Sequence, residues 1–416
     1  MEDITRMVLN EELFGIVWCD IKVPDHLKDF FSSFPPIFKH ANVSVNDIGE
    51  HMKKHCQEHN ILKKTRKLLI SSFHGEALLI PTPLLKWYLE NGLIVTKIYE
   101  ILEFQKTKCF ATFHDIVTEA RRAGDAHPDL KIVSETLKLL GNAFYGKCNE
   151  NKKKQINANF YTQKETSIKV NDGHFVNMME VGEKYYEVHS AKKAVKYDLP
   201  ILIAYFVYSY AKLVLLRFNY DFMKRNIPPT MMEEIVCDTD SIYYKFARES
   251  LNECIAPGRR KQFFSSFRDF CPSPACDEHY SVFVERMING KKWIQLPCCQ
   301  MREKYDQRTP RLFKLEATGD SIVALNSKTY YLNTKAGVPD KISSKGLSKT
   351  QNKLSILDYE NVIKTQQSSG GTNTGFRLGL SLKKMFTYSQ KRYALSYLYI
   401  KRKVAEDGVS TLPLDI

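Results

Sequence analysis

The residues best suited to chemistry in this chain lie in Glu234-Ile-Val-Cys-Asp238-Thr-Asp240-Ser-Ile-Tyr-Tyr244, where two carboxylates stand one residue apart. Ile235, Val236 and Cys237 lead in, and Ile242, Tyr243 and Tyr244 lead out, which places the pair at the tip of a predicted β-hairpin. Such a tip can hold Mg²⁺, which takes hard oxygen ligands and needs only one or two carboxylates when substrate phosphates complete the shell. An ordinary Asp-rich turn uses the same residue types, because Asp and Ser bond back to the local backbone.

A second set lies upstream in Lys138-Leu-Leu-Gly-Asn142-Ala-Phe-Tyr145-Gly146. On a helix Lys138, Asn142 and Tyr145 share one face, with Lys131 and Glu135 on the same stripe, while Ile132, Val133, Thr136, Leu137, Leu140 and Phe144 supply the other side. A cation, an amide and an aromatic ring so placed can meet a triphosphate, a sugar and a base; a solvated helix face has the same period. Arg121 and Arg122 close the preceding helix, where a cation suits the dipole and also suits a phosphate. Downstream, Lys328 and Tyr330 are two apart and so share a face of a predicted strand, able to grip a nucleic-acid phosphate and sugar or to form a cross-strand pair.

The elements that must position these groups can be read from pattern. Met1–Asn10 predicts a short polar helix at best, Leu13–Cys19 a strand running into Asp20, and 67–80 a hairpin turning at His74-Gly75. A helix from Pro83 to Glu90 and a strand from Ile94 to Phe104 follow. Two helices, Cys109–Arg122 and Leu130–Tyr145, are separated by Gly124-Asp-Ala-His-Pro128. The run 199–216 is apolar nearly all round and is expected to be a buried helix, the alternative being a membrane span. Residues 247–302 show no clear period. A hairpin is expected around Gly319-Asp320, a helix over 354–366, and a flexible loop over Ser368–Gly375.

The chain has 416 residues, room for two or three domains, and 61 Lys+Arg against 47 Asp+Glu give a net charge of +14, which points to a polyanionic partner. The Lys152-Lys153-Lys154 run suits a phosphate backbone or a solvated face. Ten cysteines without a disulfide framework suit a reducing, intracellular compartment. Cys271, Cys276, Cys298 and Cys299, with His279, come nearest to a metal pattern, but the adjacent pair departs from structural-zinc spacing, so loop cysteines are the expected reading.

Together, the Lys-x-x-x-Asn helix ending in Tyr145-Gly146 and the later Asp-Thr-Asp-Ser hairpin resemble family B DNA polymerases, with Ala143 where that family usually has Ser. The ending Lys401–Ile416, together with the internal stretch Leu84–Val95, resembles the protein-primed polymerases of large virus-like DNA transposons, and the resemblance runs from about Leu13 to Ile416. It implies an α+β fold: a partial palm, an antiparallel sheet with packed helices, a helical fingers hairpin over 109–150, the palm resuming over 151–335, and a small thumb over 336–416. Residues 1–108 would be the N-terminal part of the palm.

The resemblance further implies that Lys138, Asn142 and Tyr145 line a deoxynucleoside triphosphate site and that Asp238 and Asp240 are the catalytic carboxylates. Asp238 would bind metal directly, with two Mg²⁺ as the cofactors or Mn²⁺ in their place. Lys328, Tyr330 and Lys345 would grip the primer. Primer–template DNA and a terminal priming protein are the expected partners, with no membrane, and the location is nuclear in a eukaryotic host. No Asp before Lys138 stands in the family's first carboxylate motif, Asp-x-x-Ser-Leu-Tyr-Pro; Asp20 and Asp115 both lack its aromatic, so Asp20 is expected to be an ordinary strand residue. No exonuclease segment is seen before residue 11 either, so the chain is read as the C-terminal polymerase portion. The alternative is a DNA-binding remnant without catalysis.

Overall fold

The computed structural model describes residues 2–62, 64–379, 384–414 and 416. The fold is mixed α+β, with small antiparallel sheets separated by helices.

The N-terminal unit begins with α1 (Glu2–Leu9), β1 (Gly15–Lys22) and α2 (Lys28–Phe31). It continues through β2 (Ile37–Val43), α3 (Glu50–Glu58), β3 (Arg66–Ser72), β4 (His74–Pro81), α4 (Thr82–Glu90) and β5 (Ile94–Glu103). The expected 67–80 hairpin does not form: β3 pairs with β2, whereas β4 pairs with β1, and β5 lies on the other edge of β1. The two strands are adjacent in sequence but turn to different sheets at Phe73, whose carbonyl accepts the Val23 amide at 2.7 Å. Asp20 is structural, as expected. Its carboxylate accepts the Ala77 amide at 2.7 Å and the Tyr99 hydroxyl at 3.0 Å, so it ties β4 and β5 to β1.

The two central helices, α5 (Ala111–Ala126) and α6 (Lys131–Cys148), form the expected helical hairpin. They can approach because Gly124 has no side chain; a Cβ there would sit 2.3 Å from that of Ser134. Phe110 and Phe113 pack on Phe144, but the remaining apolar side of α6 is open, with Ile132 80% and Leu139 68% exposed. Next come β6 (Ile156–Thr162), α7 (Gln163–Val170), β7 (Phe175–Gly182) and β8 (Tyr185–Ala191), a three-stranded sheet in the order β6-β8-β7.

Helix α8 (Ile201–Leu216) runs on as a π-helical segment, Arg217–Lys224, and the pair is the axle of the molecule. The apolar run was expected to be buried, and this holds for its second half only. Leu213, Leu215, Leu216, Tyr220 and Phe222 are buried, whereas Ile201, Leu202, Val207 and Tyr208 are exposed, so α4 and β1 cover one side and the early turns project beyond them. By length and composition Ile201–Lys224 is apolar enough to cross a membrane.

On the covered side Lys212 donates to the Tyr88 hydroxyl at 2.8 Å and lies 3.9 Å from the Phe38 ring centre, and burial pushes its pKa well below the usual lysine range. The unfolded chain therefore binds more protons between that depressed value and the ordinary lysine pKa near about 10.4, and stability rises with pH across that window. Lys212→Met is expected to stabilise the fold by about 1–2 kcal/mol at neutral pH, because it removes a desolvated cation without leaving a charged partner behind. Urea unfolding at pH 7 and pH 9.5 checks it: the gain should shrink at the higher pH.

Strands β9 (Met232–Asp238) and β10 (Ser241–Phe246) follow as a two-stranded hairpin. The unpatterned stretch after it folds into α9 (Leu251–Cys254), α10 (Arg260–Phe270), α11 (Tyr280–Ile288) and α12 (Pro297–Asp306). Its aromatic core stacks Phe222 between Phe263 and Phe270.

The next hairpin, β11 (Gly319–Asn326) with β12 (Thr329–Thr334), turns at Ser327-Lys328 and not at Gly319-Asp320; β13 (Lys341–Ser343) joins its edge. After α13 (Ile356–Thr365), the expected loop over 368–375 is instead the start of a long strand, β14 (Ser369–Gly379), paired with β15 (Lys384–Leu395). Its glycines serve close pairing: a Cβ at Gly370 would lie 1.8 Å from the Arg392 carbonyl oxygen. Residues 380–383 of the basic C-terminal segment lie outside the described residues. The chain closes with β16 (Arg402–Val404) and β17 (Thr411–Pro413).

Two features depart from the expected division. The β9–β10 hairpin does not extend into a larger palm sheet among the described residues. One core also unites Val43, Met52 and Ile70 with Tyr331, Tyr359, Leu395 and Leu414, so the C-terminal region and part of the first hundred residues fold as one body.

Candidate functional site

Asp238 ends β9 and Ser241 begins β10, so Thr239 and Asp240 alone make the turn. Thr239 has φ +61°, an uncommon value for a β-branched residue that costs of the order of 1–3 kcal/mol. Local bonds hold it: Thr239 Oγ1 donates to Asp238 Oδ1 at 3.1 Å, Ser241 Oγ to the Asp238 carbonyl at 3.1 Å, and the Asp240 amide to the same carbonyl at 2.7 Å. The Asp240 side chain is left exposed at the tip, while that of Asp238 is largely covered, 17% exposed.

The hairpin is anchored at its base. Glu234 accepts from Lys224 Nζ at 2.9 Å and from Asn219 Nδ2 at 3.1 Å, and the Tyr244 hydroxyl donates to Asn219 Oδ1 at 2.8 Å. The π-helical segment therefore fixes both strands. On its other side Asp221 accepts the Trp87 indole N–H at 3.0 Å, so the carboxylate hairpin is coupled rigidly to the N-terminal core. Burial, and then the Asp238 and Asp240 charges, push the Cys237 thiol up to about 12, which leaves it a neutral packing group.

The β11–β12 sheet meets this hairpin edge-on. Lys328 Nζ lies 3.5 Å from Asp238 Oδ1, and the Tyr243 hydroxyl donates to that of Tyr330 at 2.9 Å, their ring centres 4.9 Å apart. Burial, with this hydrogen bond, raises the Tyr330 phenol above its ordinary pKa. The structure thus brings Asp238, Lys328 and Tyr330 together, but not as a shared strand face. Lys328 occupies the turn with φ +68°, its carbonyl accepting the Ser343 hydroxyl, and β12 starts only at Thr329. Lys345 is exposed beyond β13, beside Gly346 at φ +104°.

On α6, Lys138 and Asn142 are exposed and Tyr145 is half-buried, its ring meeting Tyr208 of α8 edge-on at 5.5 Å. Lys138 makes no ion pair, and no hydrogen bond or ion pair joins α6 to the β9–β10 hairpin, among the described residues. Arg122 is committed elsewhere: its guanidinium lies 3.5 Å from the Tyr305 ring centre, with Thr309 Oγ1 at 3.0 Å and Glu119 at 2.5 Å. Arg308 adds a two-pronged pair with Asp125 at 2.5 and 2.6 Å. Arg122 is therefore a clasp between α5 and the end of α12, with each of its three guanidinium nitrogens already engaged at that joint. Arg121 sits in the same joint, its pKa lowered by burial and by the nearby Arg308, against the pull of Asp125. The clasp was invisible in the sequence because its halves are 183 residues apart.

Hard carboxylate oxygens at the tip suit Mg²⁺ or Mn²⁺. Among the described residues, however, no third carboxylate or histidine converges on Asp238 and Asp240; the one group of three or more such ligands is Cys276, His279, Cys298 and Cys299. That group overturns the expectation of unrelated loop cysteines. Compared with known proteins, the chain matches no family model, no curated protein and no solved structure.

Proposed function

We propose that this chain is the C-terminal polymerase portion of a protein-primed family B DNA polymerase, acting on primer–template DNA and deoxynucleoside triphosphates in DNA replication. The observation that carries the reading is the meeting of the Asp-Thr-Asp hairpin with a cation and a phenol, Lys328 and Tyr330, from a separate hairpin 90 residues away. In the reaction, the primer 3′-hydroxyl attacks the α-phosphorus of the incoming nucleotide, the new phosphodiester forms, and pyrophosphate leaves.

Asp238 and Asp240 would hold the divalent ions, whose chemistry there is to stabilise charge on the attacking and leaving oxygens. The protein's own groups do the positioning. Lys328, 55% exposed, is placed to leave Asp238 for a backbone phosphate. The Tyr243–Tyr330 pair makes a firm ledge for the primer end. Lys138 and Asn142, free on α6, are available to the triphosphate. Nuclear action in a eukaryotic host and a protein primer belong to the same proposal.

One observation favours a second reading, a DNA-binding remnant without catalysis. Asp238 already has a cation, Lys328, and a hydroxyl, Thr239, as partners, as expected of a carboxylate that only braces a turn.

The nucleotide face is tested by Lys138→Ala in a primer-extending form of the chain. Removing a charged hydrogen bond worth about 1.5–3 kcal/mol should raise the nucleotide KM roughly 10- to 150-fold. The Kd for primer–template DNA should not change, since α6 would face the triphosphate. Steady-state extension beside fluorescence anisotropy measures both; an equal loss of DNA affinity would remove the assignment.

A further inference from the structure

Outside the carboxylate hairpin, three thiols and an imidazole converge at one end of the α9–α12 unit. Sγ of Cys276 lies 3.8 Å from Sγ of Cys298 and 3.9 Å from that of Cys299, and the two neighbouring sulfurs are 4.0 Å apart. Nδ1 of His279 is 3.0 Å from the Cys276 sulfur and 3.7 Å from that of Cys298, and all four ligand atoms fall within 4.8 Å of one another.

The three sulfur–sulfur distances are those of a tetrahedral zinc shell, and the two nitrogen–sulfur distances, 3.0 and 3.7 Å, lie on either side of its value. Zn–S bonds of about 2.3 Å and Zn–N bonds of about 2.0 Å at tetrahedral angles put sulfurs about 3.8 Å apart and sulfur about 3.5 Å from nitrogen. We infer that Cys276, His279, Cys298 and Cys299 form a structural Cys₃His zinc site that holds the α9–α12 unit together.

The local structure explains why an adjacent cysteine pair can serve. Leu296 caps α12, so Cys298 and Cys299 stand in its first turn, and His279 caps α11 two residues after Asp277. Two helix N-termini therefore face the cluster, and their partial positive charge favours the thiolates that zinc requires. All four ligands are protein side chains, which leaves no open position for substrate and makes the site structural. The site ties two segments about twenty residues apart across the irregular 290–296 connection.

The consequence reaches the fingers-like hairpin. Zinc would fix the start of α12, and the far end of α12 carries Tyr305 and leads to Arg308, the residues that clasp α5 through Arg122 and Asp125. Loss of metal is thus expected to loosen α5 as well as α11 and α12.

The test uses the full 416-residue chain, purified without chelator and, in a parallel sample, reconstituted with Zn²⁺. Elemental analysis should find one zinc per chain, retained on dialysis. The Cys276→Ser/Cys298→Ser double variant should lose it, and Cys109→Ser, at an exposed cysteine remote from the cluster, should keep it. Chelation should raise amide hydrogen exchange in α12 and in Ala111–Ala126. Should the double variant fail to fold, Co²⁺ substitution in the unmutated chain decides: intense visible absorption with a thiolate charge-transfer band supports the site. A weak, octahedral-type spectrum, or a reconstituted chain without stoichiometric zinc, would overturn it.

Discussion

Asp238→Ala is expected to cost roughly 10³-fold or more in primer extension, about 4 kcal/mol of transition-state stabilisation, while leaving duplex affinity almost unchanged. The loss should be large because Asp238 is the covered carboxylate of the pair, held in place by Glu234, Asn219 and Lys224 at the hairpin base, whereas Asp240 is exposed. Catalysis by two metals needs ions clamped about 3.5–4 Å apart from both sides. On the proposed reading, Asp238 and Asp240 would supply one side. Asp20, the upstream carboxylate on a strand, accepts the Ala77 amide and the Tyr99 hydroxyl, one on each oxygen.

The comparison therefore has two arms. The 416-residue chain alone is expected to extend primers little with Mg²⁺, and the chain preceded by an Asp-x-x-Ser-Leu-Tyr-Pro segment is expected to extend them and to lose this with Asp238→Ala. A primer-extension gel on the three proteins is sufficient. Robust extension by the short chain would show that another carboxylate completes the site, and inactivity of the longer one would favour the non-catalytic reading.

What could be read in advance divides along the range of the interactions. The α5–α6 hairpin and the Asp-Thr-Asp turn were legible because their signals are local: the Gly124–Pro128 break, the helical period through Lys138 and Tyr145, and β-formers on both sides of a two-residue polar tip. Strand existence was legible for β3 and β4, but strand partners were not. Period-2 alternation says which face is buried and nothing about which strand lies alongside, so consecutive strands that part at Phe73 resemble a hairpin.

Composition misled at Ser368–Gly375, where glycine and serine suggested a loop although Gly370 is there to let a neighbouring backbone approach. The α9–α12 unit failed differently. Its core packs the phenylalanines of α10 and α11 against Phe218 and Phe222 of the π-helical segment, far away in sequence, and its Cys/His residues, though visible in the sequence, depart from zinc spacing because an adjacent Cys298-Cys299 pair opens α12. The same limit applied to the residues expected to grip a primer: Lys328 reaches Asp238 from a left-handed turn, a placement that two-residue spacing alone does not predict.

Binding of the 416-residue chain to primer–template DNA is expected to collapse with salt, by about 10³-fold between roughly 50 and 200 mM, if about six phosphates are neutralised. The net charge of +14 sets the long-range attraction, but the slope counts only cations that reach the backbone. Lys328 at the carboxylate hairpin and Lys345, Lys349, Lys353, Lys391 and Lys401 of the C-terminal region are all exposed. Six such contacts predict a slope near about −5 in a plot of log affinity against log salt, at about −0.9 per phosphate. Lys328→Ala should flatten that slope by about one while weakening all duplex sequences alike, since phosphate contacts carry no base information. Filter binding across a salt series measures both quantities. A flat plot would remove nucleic acid as the partner. A steep plot unaffected by Lys328→Ala would keep nucleic acid but move its path away from the Asp238 hairpin, and with it the reason for placing the primer end there.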